Sequence, residues 1–267
     1  MRKLSFMSRS GWRWLALGIA LTISLAAEPV TSANSLDPDA DQILKSMSSY
    51  LAATKAFSVN TDIDFEVVNR NGQKLQLSSF ASVVVQRPGQ FYIQRQGMIA
   101  NADLIFDGET LTLYGRNSNA YAQINTPGTI DDAIRAFELE TGIPAPGGDL
   151  LFADPYAVLS TGVESSTYMG TAYVNGIECH HLAFRENDVD WQLWVQTGDQ
   201  PLPMKYVITS KWITAAPQYE IRMRDWNTNP QINAEQFTFS APAGATQLDA
   251  LPASELDELT SIEEEQQ

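Results

Sequence analysis

The stretch from Phe57 to Val67 constrains the fold more than any other part of the chain. Phe57, Val59, Thr61, Ile63, Phe65 and Val67 alternate with Ser58, Asn60, Asp62, Asp64 and Glu66. Successive side chains of a strand point to opposite faces, so this period of two predicts a strand buried on one side and wet on the other. The same beat returns in Leu75, Leu77, Val83 and Val85, and again in Phe91 and Ile93. Turn signals separate the runs: Asn69 to Gly72, then Arg87, Pro88 and Gly89, and later Asn117 to Asn119. Asp107-Gly108 is a hairpin signal between Asp103 to Phe106 and Glu109 to Tyr114. Beyond Ser165, strands are expected at Thr167 to Val174, Ile177 to Arg185, Val189 to Gln196, Met204 to Trp212, Gln218 to Trp226 and Gln236 to Phe239.

Links of hairpin length favour antiparallel pairing. The total is about ten or eleven strands, and a sheet of that size curls or closes. The expected class is therefore mainly β (α+β), a strongly curved antiparallel sheet or half-barrel with a few helices covering the concave face. Three segments have helical signals. Asp37-Pro38 caps and opens a helix running to about Thr54, with Ile43, Leu44, Met47, Tyr50 and Leu51 at helical spacing. Thr129 to Thr141 carries Ile130, Ala133, Ile134 and Phe137 on one side and stops at Gly142. Asp154-Pro155 opens a third, ending near Gly162. The Pro/Gly-rich stretch Ile143 to Gly148 reads as a crossover over the sheet, because the strand pattern after it resembles that before. Residues 34–248 are thus expected to form one domain.

Both ends have a different composition. Arg2, Lys3, Arg9 and Arg13 precede an apolar run from Trp14 to Ala27, with no acid before Glu28. This is the pattern of a secretory signal peptide over residues 1–33, cleaved near 26–33, after Ala26 or after Ala33. The run is about 14 residues, short of the ~20 that span a bilayer as a helix. No cysteine follows it to carry an acyl anchor, so a soluble mature protein without a stable membrane anchor is expected. Residues 249–267 hold Asp249, Glu255, Asp257, Glu258 and Glu263 to Glu265 with no Lys or Arg, and read as an acidic disordered tail. Such a tail serves as a solubilising end or as a tether for a basic partner. Over the whole chain 17 Lys+Arg face 32 Asp+Glu, a formal charge of -15, which excludes a nucleic-acid partner.

Chemistry-bearing residues are few. Cys179 is the only cysteine, which removes intramolecular disulfides and multi-thiolate zinc sites. Cys179 and His181 share a strand face, with His180 on the other, and two ligands leave a metal underbound. A metal site or enzyme using Cys179 and His181 is the lesser alternative. Asp188 and Asp190 lie at a hairpin, where paired acids are usually solvated. No nucleophile elbow, HExxH helix, P-loop or dinucleotide fingerprint occurs, so neither an enzyme nor a cofactor is expected.

The apolar strand faces are more informative. Phe65, Val83, Val85, Phe91, Ile93, Trp191, Leu193, Val195, Tyr206 and Ile221 are candidate lining residues of a cavity for a hydrophobic ligand. The competing reading is a filled core, and periodicity alone does not separate the two.

Certain segments carry a family resemblance. Cys179-His180-His181-Leu182-Ala183-Phe184-Arg185, Asp190-Trp191-Gln192-Leu193-Trp194-Val195 and Gly198-Asp199-Gln200-Pro201-Leu202-Pro203-Met204-Lys205 resemble a family of predicted periplasmic proteins. The likeness runs from about Asp37 to Asp249 and includes Pro242-Ala243-Gly244-Ala245. Such proteins are similar to the LolA/LolB superfamily, whose curved half-barrel, lidded by helices, encloses an apolar cavity for lipoprotein acyl chains. The resemblance implies a periplasmic carrier or sensor that holds a lipid or acyl chain non-covalently. It supplies no functional residues, and the missing lipid-attachment cysteine departs from LolB. The alternative is an interaction or regulatory module with a filled core that contacts a periplasmic or envelope protein.

Overall fold

The computed structural model describes residues 36–98 and 100–250. The leader expected at 1–33 and the acidic tail beyond residue 250 lie outside the described residues. In chain order the elements are α1 (Pro38–Ala53), β1 (Ala56–Val68), β2 (Lys74–Gln86), β3 (Gln90–Gly97), β4 (Asn101–Phe106), β5 (Thr110–Gly115) and β6 (Ala120–Asn125). Then come α2 (Ile130–Thr141), a 3-10 turn (Gly148–Leu151), α3 (Pro155–Leu159), β7 (Ser165–Val174), β8 (Ile177–Arg185) and β9 (Val189–Gln196). β10 (Pro203–Ser210), β11 (Gln218–Asn227), a second 3-10 turn (Ala234–Phe237) and β12 (Thr246–Gln247) complete the set.

All twelve strands described form one sheet, in the order β12-β6-β5-β4-β3-β2-β1-β11-β10-β9-β8-β7. Two meanders meet at β1, which pairs with β2 on one side and β11 on the other. Pairing is antiparallel except between β12 and β6, and the sheet stays open, with β12 and β7 as its edges.

The third helix ends at Leu159 rather than near Gly162, and the sheet differs from expectation at three places. It has twelve strands rather than ten or eleven, the last being a two-residue pairing too short to show any period. Gln236 to Phe239, expected as a strand, is not one, and its first two residues belong to a 3-10 turn: the Asn233 side chain accepts from the Glu235 amide (3.1 Å) and Phe237 is fully buried. The strand expected to reach Trp212 ends at Ser210, and the exposed indole of Trp212 donates to the Asn187 carbonyl (2.9 Å).

The buried positions of β1 are the alternate residues Phe57 to Val67. All but Thr61 join one core cluster with Leu44, Met47 and Leu51 of α1, Ile130, Ile134 and Phe137 of α2, and Leu159 of α3. The opposite face of β1 is ionic: Asp62 pairs with Arg224 (2.8 Å), Asp64 with Arg222 and Glu66 with Lys74 (2.8 Å).

Local signals position the helices. α2 opens with a capping box, in which Thr129 and Asp132 each bond the other's backbone amide, and Gly142 closes it at φ 70°. Asp37 does more than cap α1. Its carboxylate accepts from the amides of Asp39 (2.9 Å) and Ala40 (3.3 Å) and, across the chain, from Tyr168 of β7 (2.9 Å). Its own amide donates to Ser166 Oγ (2.9 Å), so one residue starts the helix and fastens it to the sheet edge. The Tyr168 amide is the main cause holding this carboxyl below its ordinary range.

Asp37→Ala should lower stability by about 1–2 kcal/mol at neutral pH, measured by urea unfolding. Because the folded-state pKa is depressed, that contribution is present above the ordinary carboxylate range and disappears as pH falls through the folded value. Equal stability of variant and wild type at pH 7 would remove this role.

Candidate functional site

Five strands of the first meander bring their inner faces into register, so the pairing reads as rows across the sheet. The first is Phe57, Val85, Phe91, Phe106 and Leu111, and the next Val59, Val83, Ile93, Leu104 and Leu113. The third is Thr61, Ala81, Arg95, Ala102 and Gly115, and beyond it Ile63 faces Ser79 and Gly97. Large side chains fill the first two rows. In the third, Thr61, Ala81, Ala102 and Gly115 are small and Arg95 stands between the two alanines, and residues of all three rows line one cavity.

Above this trough lie Ala133, Ile134 and Phe137 of α2 and the loop from Ile143 to Gly148, and β11 contributes Tyr219, Ile221 and Met223. The cavity, open on one side, measures about 200 Å³ and its lining is overwhelmingly apolar. Thr61 is satisfied by the Ala81 carbonyl (3.3 Å), and Arg95 is the one charged residue among those lining it.

The roof is held at both ends. Glu138 accepts from the Ala145 amide (3.1 Å). Arg87, at the end of β2, donates to the carbonyls of Leu151 (2.5 Å), Phe152 (3.0 Å) and Leu150 (3.4 Å). Burial pushes the Arg87 guanidinium pKa down, against the nearby charge of Asp131. Between these anchors Gly147 takes φ 83°, and a Cβ there would lie 2.6 Å from Cδ1 of Ile221. Only glycine lets the loop approach the sheet this closely.

Two larger and more polar spaces adjoin the same loop, and Ala145 borders all three. One of about 540 Å³ is bordered by Glu138, Asp149, Glu186, Trp191 and Tyr206. The other, about 810 Å³, is bordered by Phe65, Glu138, Asp149, Ile208 and Tyr219. Asp149 accepts a long bond from the Tyr206 hydroxyl (3.5 Å). Burial, with the charge of Glu138, pushes its carboxyl up to about 6. Glu186 is also raised by burial, while accepting from the Trp191 indole (2.6 Å).

The residues proposed from sequence divide among these spaces. Val83, Phe91, Ile93 and Ile221 line the apolar cavity, Trp191 and Tyr206 border the 540 Å³ space, and Phe65 borders the 810 Å³ space. Val85, Leu193 and Val195 are fully buried in the core and border none of them. Arg95 and the small residues of its row were not among those candidates. The signal was present, since the beat of Phe91 and Ile93 carries Arg95 to the same face.

The Cys-His-His segment is engaged elsewhere. Cys179 is buried, which pushes its thiol pKa up, and its Sγ lies 3.4 Å from the Ile177 carbonyl. His180 Nδ1 meets the Tyr168 hydroxyl (3.0 Å), and His181 bonds Gln192 (2.9 Å) and stacks on Trp194. Among the described residues no group of three or more His, Cys, Asp and Glu is placed to hold a metal, and no helix is long and apolar enough to cross a membrane.

The family model described as a predicted periplasmic protein, DUF2092, matches residues 40–251. No curated protein sequence matches the chain. Among solved structures it is similar to LprF from Mycobacterium bovis at 16% identity, over 74% of this chain and 98% of that one, with a TM-score of 0.47. It is similar to the MucA/MucB complex of Pseudomonas aeruginosa at 14% identity, over 76% and 62%, with a TM-score of 0.42. A LolA superfamily protein from Nitrosomonas europaea matches at 10% identity, over 75% and 97%, with a TM-score of 0.38.

Two outcomes follow from the roof geometry. Gly147→Ala should cost about 1–3 kcal/mol, from the strained φ and the contact with Ile221, as read by thermal or urea unfolding. Asp149 has a raised folded-state pKa, so its protonation favours the fold and stability falls as pH rises from about 4 through about 6. Asp149→Asn should flatten that part of the profile and raise stability at pH 7 by about 1–3 kcal/mol in urea unfolding at pH 4.5 and 7. An unchanged profile in the variant would place the titration elsewhere.

Proposed function

The chain belongs to the DUF2092 family of predicted periplasmic proteins, and from that premise we propose that it holds the acyl chain of a lipid non-covalently beneath the Ile143 to Gly148 loop, as a carrier or sensor. The observation that carries the reading is the apolar cavity between the inner sheet face and this loop, where Thr61, Ala81 and Ala102 are small among larger lining residues. An apolar cavity of ~150 Å³ is enough to take up benzene-sized molecules, whereas whole drug-sized ligands occupy roughly 300–1,000 Å³. At about 200 Å³ this one suits part of a single chain rather than a complete multi-chain lipid.

The magnitudes favour reversible loading. With about 30 Å³ for each water-sized group, the cavity holds roughly six or seven methylenes. At ~0.8 kcal/mol each these contribute about 5 kcal/mol, before the cost of immobilising the ligand. Such binding is released readily, as carriage or sensing requires. The proposed role is binding, with no bond made or broken and no cofactor.

Native mass spectrometry with solvent extraction, on protein isolated gently from the periplasm, tests the reading. A lipid-sized adduct is expected on the wild type. Ala102→Leu, which fills the trough, should reduce its occupancy at least tenfold without lowering the melting temperature by more than a few degrees. Leu193→Ala, in the filled core, should destabilise the protein by about 2–5 kcal/mol yet retain the adduct while folded. Undiminished lipid binding by a well-folded Ala102→Leu protein would remove the cavity assignment.

A further inference from the structure

We propose that the tip of the hairpin between β10 and β11, residues 211–217, seats the protein on a bilayer of zwitterionic lipid, with Trp212 and Ile213 entering the headgroup layer. Ile213 also borders the 810 Å³ space, so this docking surface adjoins a route by which an acyl chain would enter. It goes beyond the acyl-chain reading and stands on other residues, and the two fail separately.

The tip is built to hold apolar side chains in water. Residues 212–215 are exposed in succession and none is charged. Trp212 is 73% exposed and Ile213 57%. Both flanks are tied down. The Trp212 indole donates to the Asn187 carbonyl, the Lys211 amide to the Asp188 carbonyl (3.0 Å) and Lys211 Nζ to the Glu186 carbonyl (2.6 Å). Within the loop the Ala216 amide donates to the Ile213 carbonyl (2.9 Å) and the Ser210 amide to the Pro217 carbonyl (3.0 Å). Ala215 and Ala216 take φ of 64° and 44°, left-handed values that are unfavourable for a residue with a Cβ and persist only where the surroundings enforce them. The indole N–H is thus already satisfied by protein, while the apolar ring stays in solvent.

Size and charge select the occupant. A specific protein interface takes about 800 Å² from each partner, spread over roughly 20–30 residues. Four exposed residues beside the polar Asn187 and Asp188 fall far short of that. An indole next to a branched aliphatic chain is instead suited to a membrane interface, where an amphipathic ring has one side apolar and the other wet. The formal charge of -15 repels an anionic surface, and Lys211, the one cation of the tip, lies 3.6 Å from Asp190. A zwitterionic surface carries no such penalty. Its outermost ammonium groups complement the exposed carboxylate of Asp188, which adjoins the residue that Trp212 bonds. Pro217 joins Ile213 in bordering the 810 Å³ space, so seating the tip brings the rim of that space to the lipid.

Flotation of the exported protein with vesicles of phosphatidylcholine, alone or mixed with phosphatidylglycerol, tests this. The wild type should float with pure phosphatidylcholine regardless of salt and less well with the mixture, the deficit shrinking as salt screens the repulsion. Trp212→Ser combined with Ile213→Ser should weaken flotation about tenfold or more, with the melting temperature within a few degrees of wild type because both side chains are exposed. Phosphatidylcholine brominated on its chains should quench the tryptophan emission of the wild type and clearly less that of Trp212→Phe, a substitution that keeps an apolar ring. Absence of wild-type flotation with either vesicle overturns the proposal and assigns the tip to a protein partner. Flotation that survives in the folded double variant overturns it too, as do equal quenching of wild type and Trp212→Phe and binding that requires phosphatidylglycerol and fades with salt. Dodecanoate added in solution should still load the double variant, which separates a defect of the tip from one of the cavity. A wild type that floats but carries no acyl chain removes the acyl-chain reading and leaves the docking surface in place.

Discussion

The pairing of β1 with β11 is the interaction on which the rest of the structure depends. Each meander can form from local hairpins, but only this contact, between segments more than 150 residues apart, merges them into one sheet. Closing so long a loop is entropically costly and has to be offset by well-matched faces. On the inner side Thr61 meets Met223, Ile63 meets Ile221 and Phe65 meets Tyr219. On the outer side Asp62 and Asp64 meet Arg224 and Arg222. Surface pairs of this kind contribute little stability, about 0–1 kcal/mol each. Their value lies in register, since a slip of one residue would turn the aspartates toward the core.

The cavity is a consequence of that register. Its floor is drawn from both meanders, so neither could form it alone. The lining of the cavity forgoes dispersion contacts that a filled interior would make, whereas Leu193 and Val195 are completely buried in solid core. The roof shows a similar division. Arg87 and Glu138 hold the two ends of the loop segment, and Gly147 lets it settle onto Ile221. Asp149, two residues on, is a half-buried carboxylate facing Tyr206 and Glu138, so the border of the two polar spaces carries a group whose pKa is pushed up to about 6.

Much of this was legible in the residues themselves. The alternation of β1, the Asp37-Pro38 opening of α1 and the Thr129 to Gly142 limits of α2 all correspond to observed elements, because each reflects local sterics or hydrogen bonding. The segment around Gln236 was misread as a strand because four residues are too few to distinguish a period of two from a turn. The two residues of β12 have no pattern of their own and are extended only because β6 offers an edge. Trp191 and Leu193 share an alternating pattern with Phe91 and Ile93, yet Leu193 ends in solid core and Ile93 beside a void. Nothing in the strand itself separates them, since the difference lies in what packs above.

The sequence by itself determined which face of the long strands such as β1 would be buried, where the first two helices begin and end, and that the strands would form one large, mainly antiparallel sheet around an apolar interior. Those properties depend on the chemistry and spacing of neighbours along the chain. Only the tertiary structure decided that small residues from β1, β2 and β4 fall into one transverse row with Arg95 at its centre, and that the Ile143 to Gly148 loop roofs it. A void is the volume left between elements distant in sequence, and its position follows from their register and separation, which no single segment encodes.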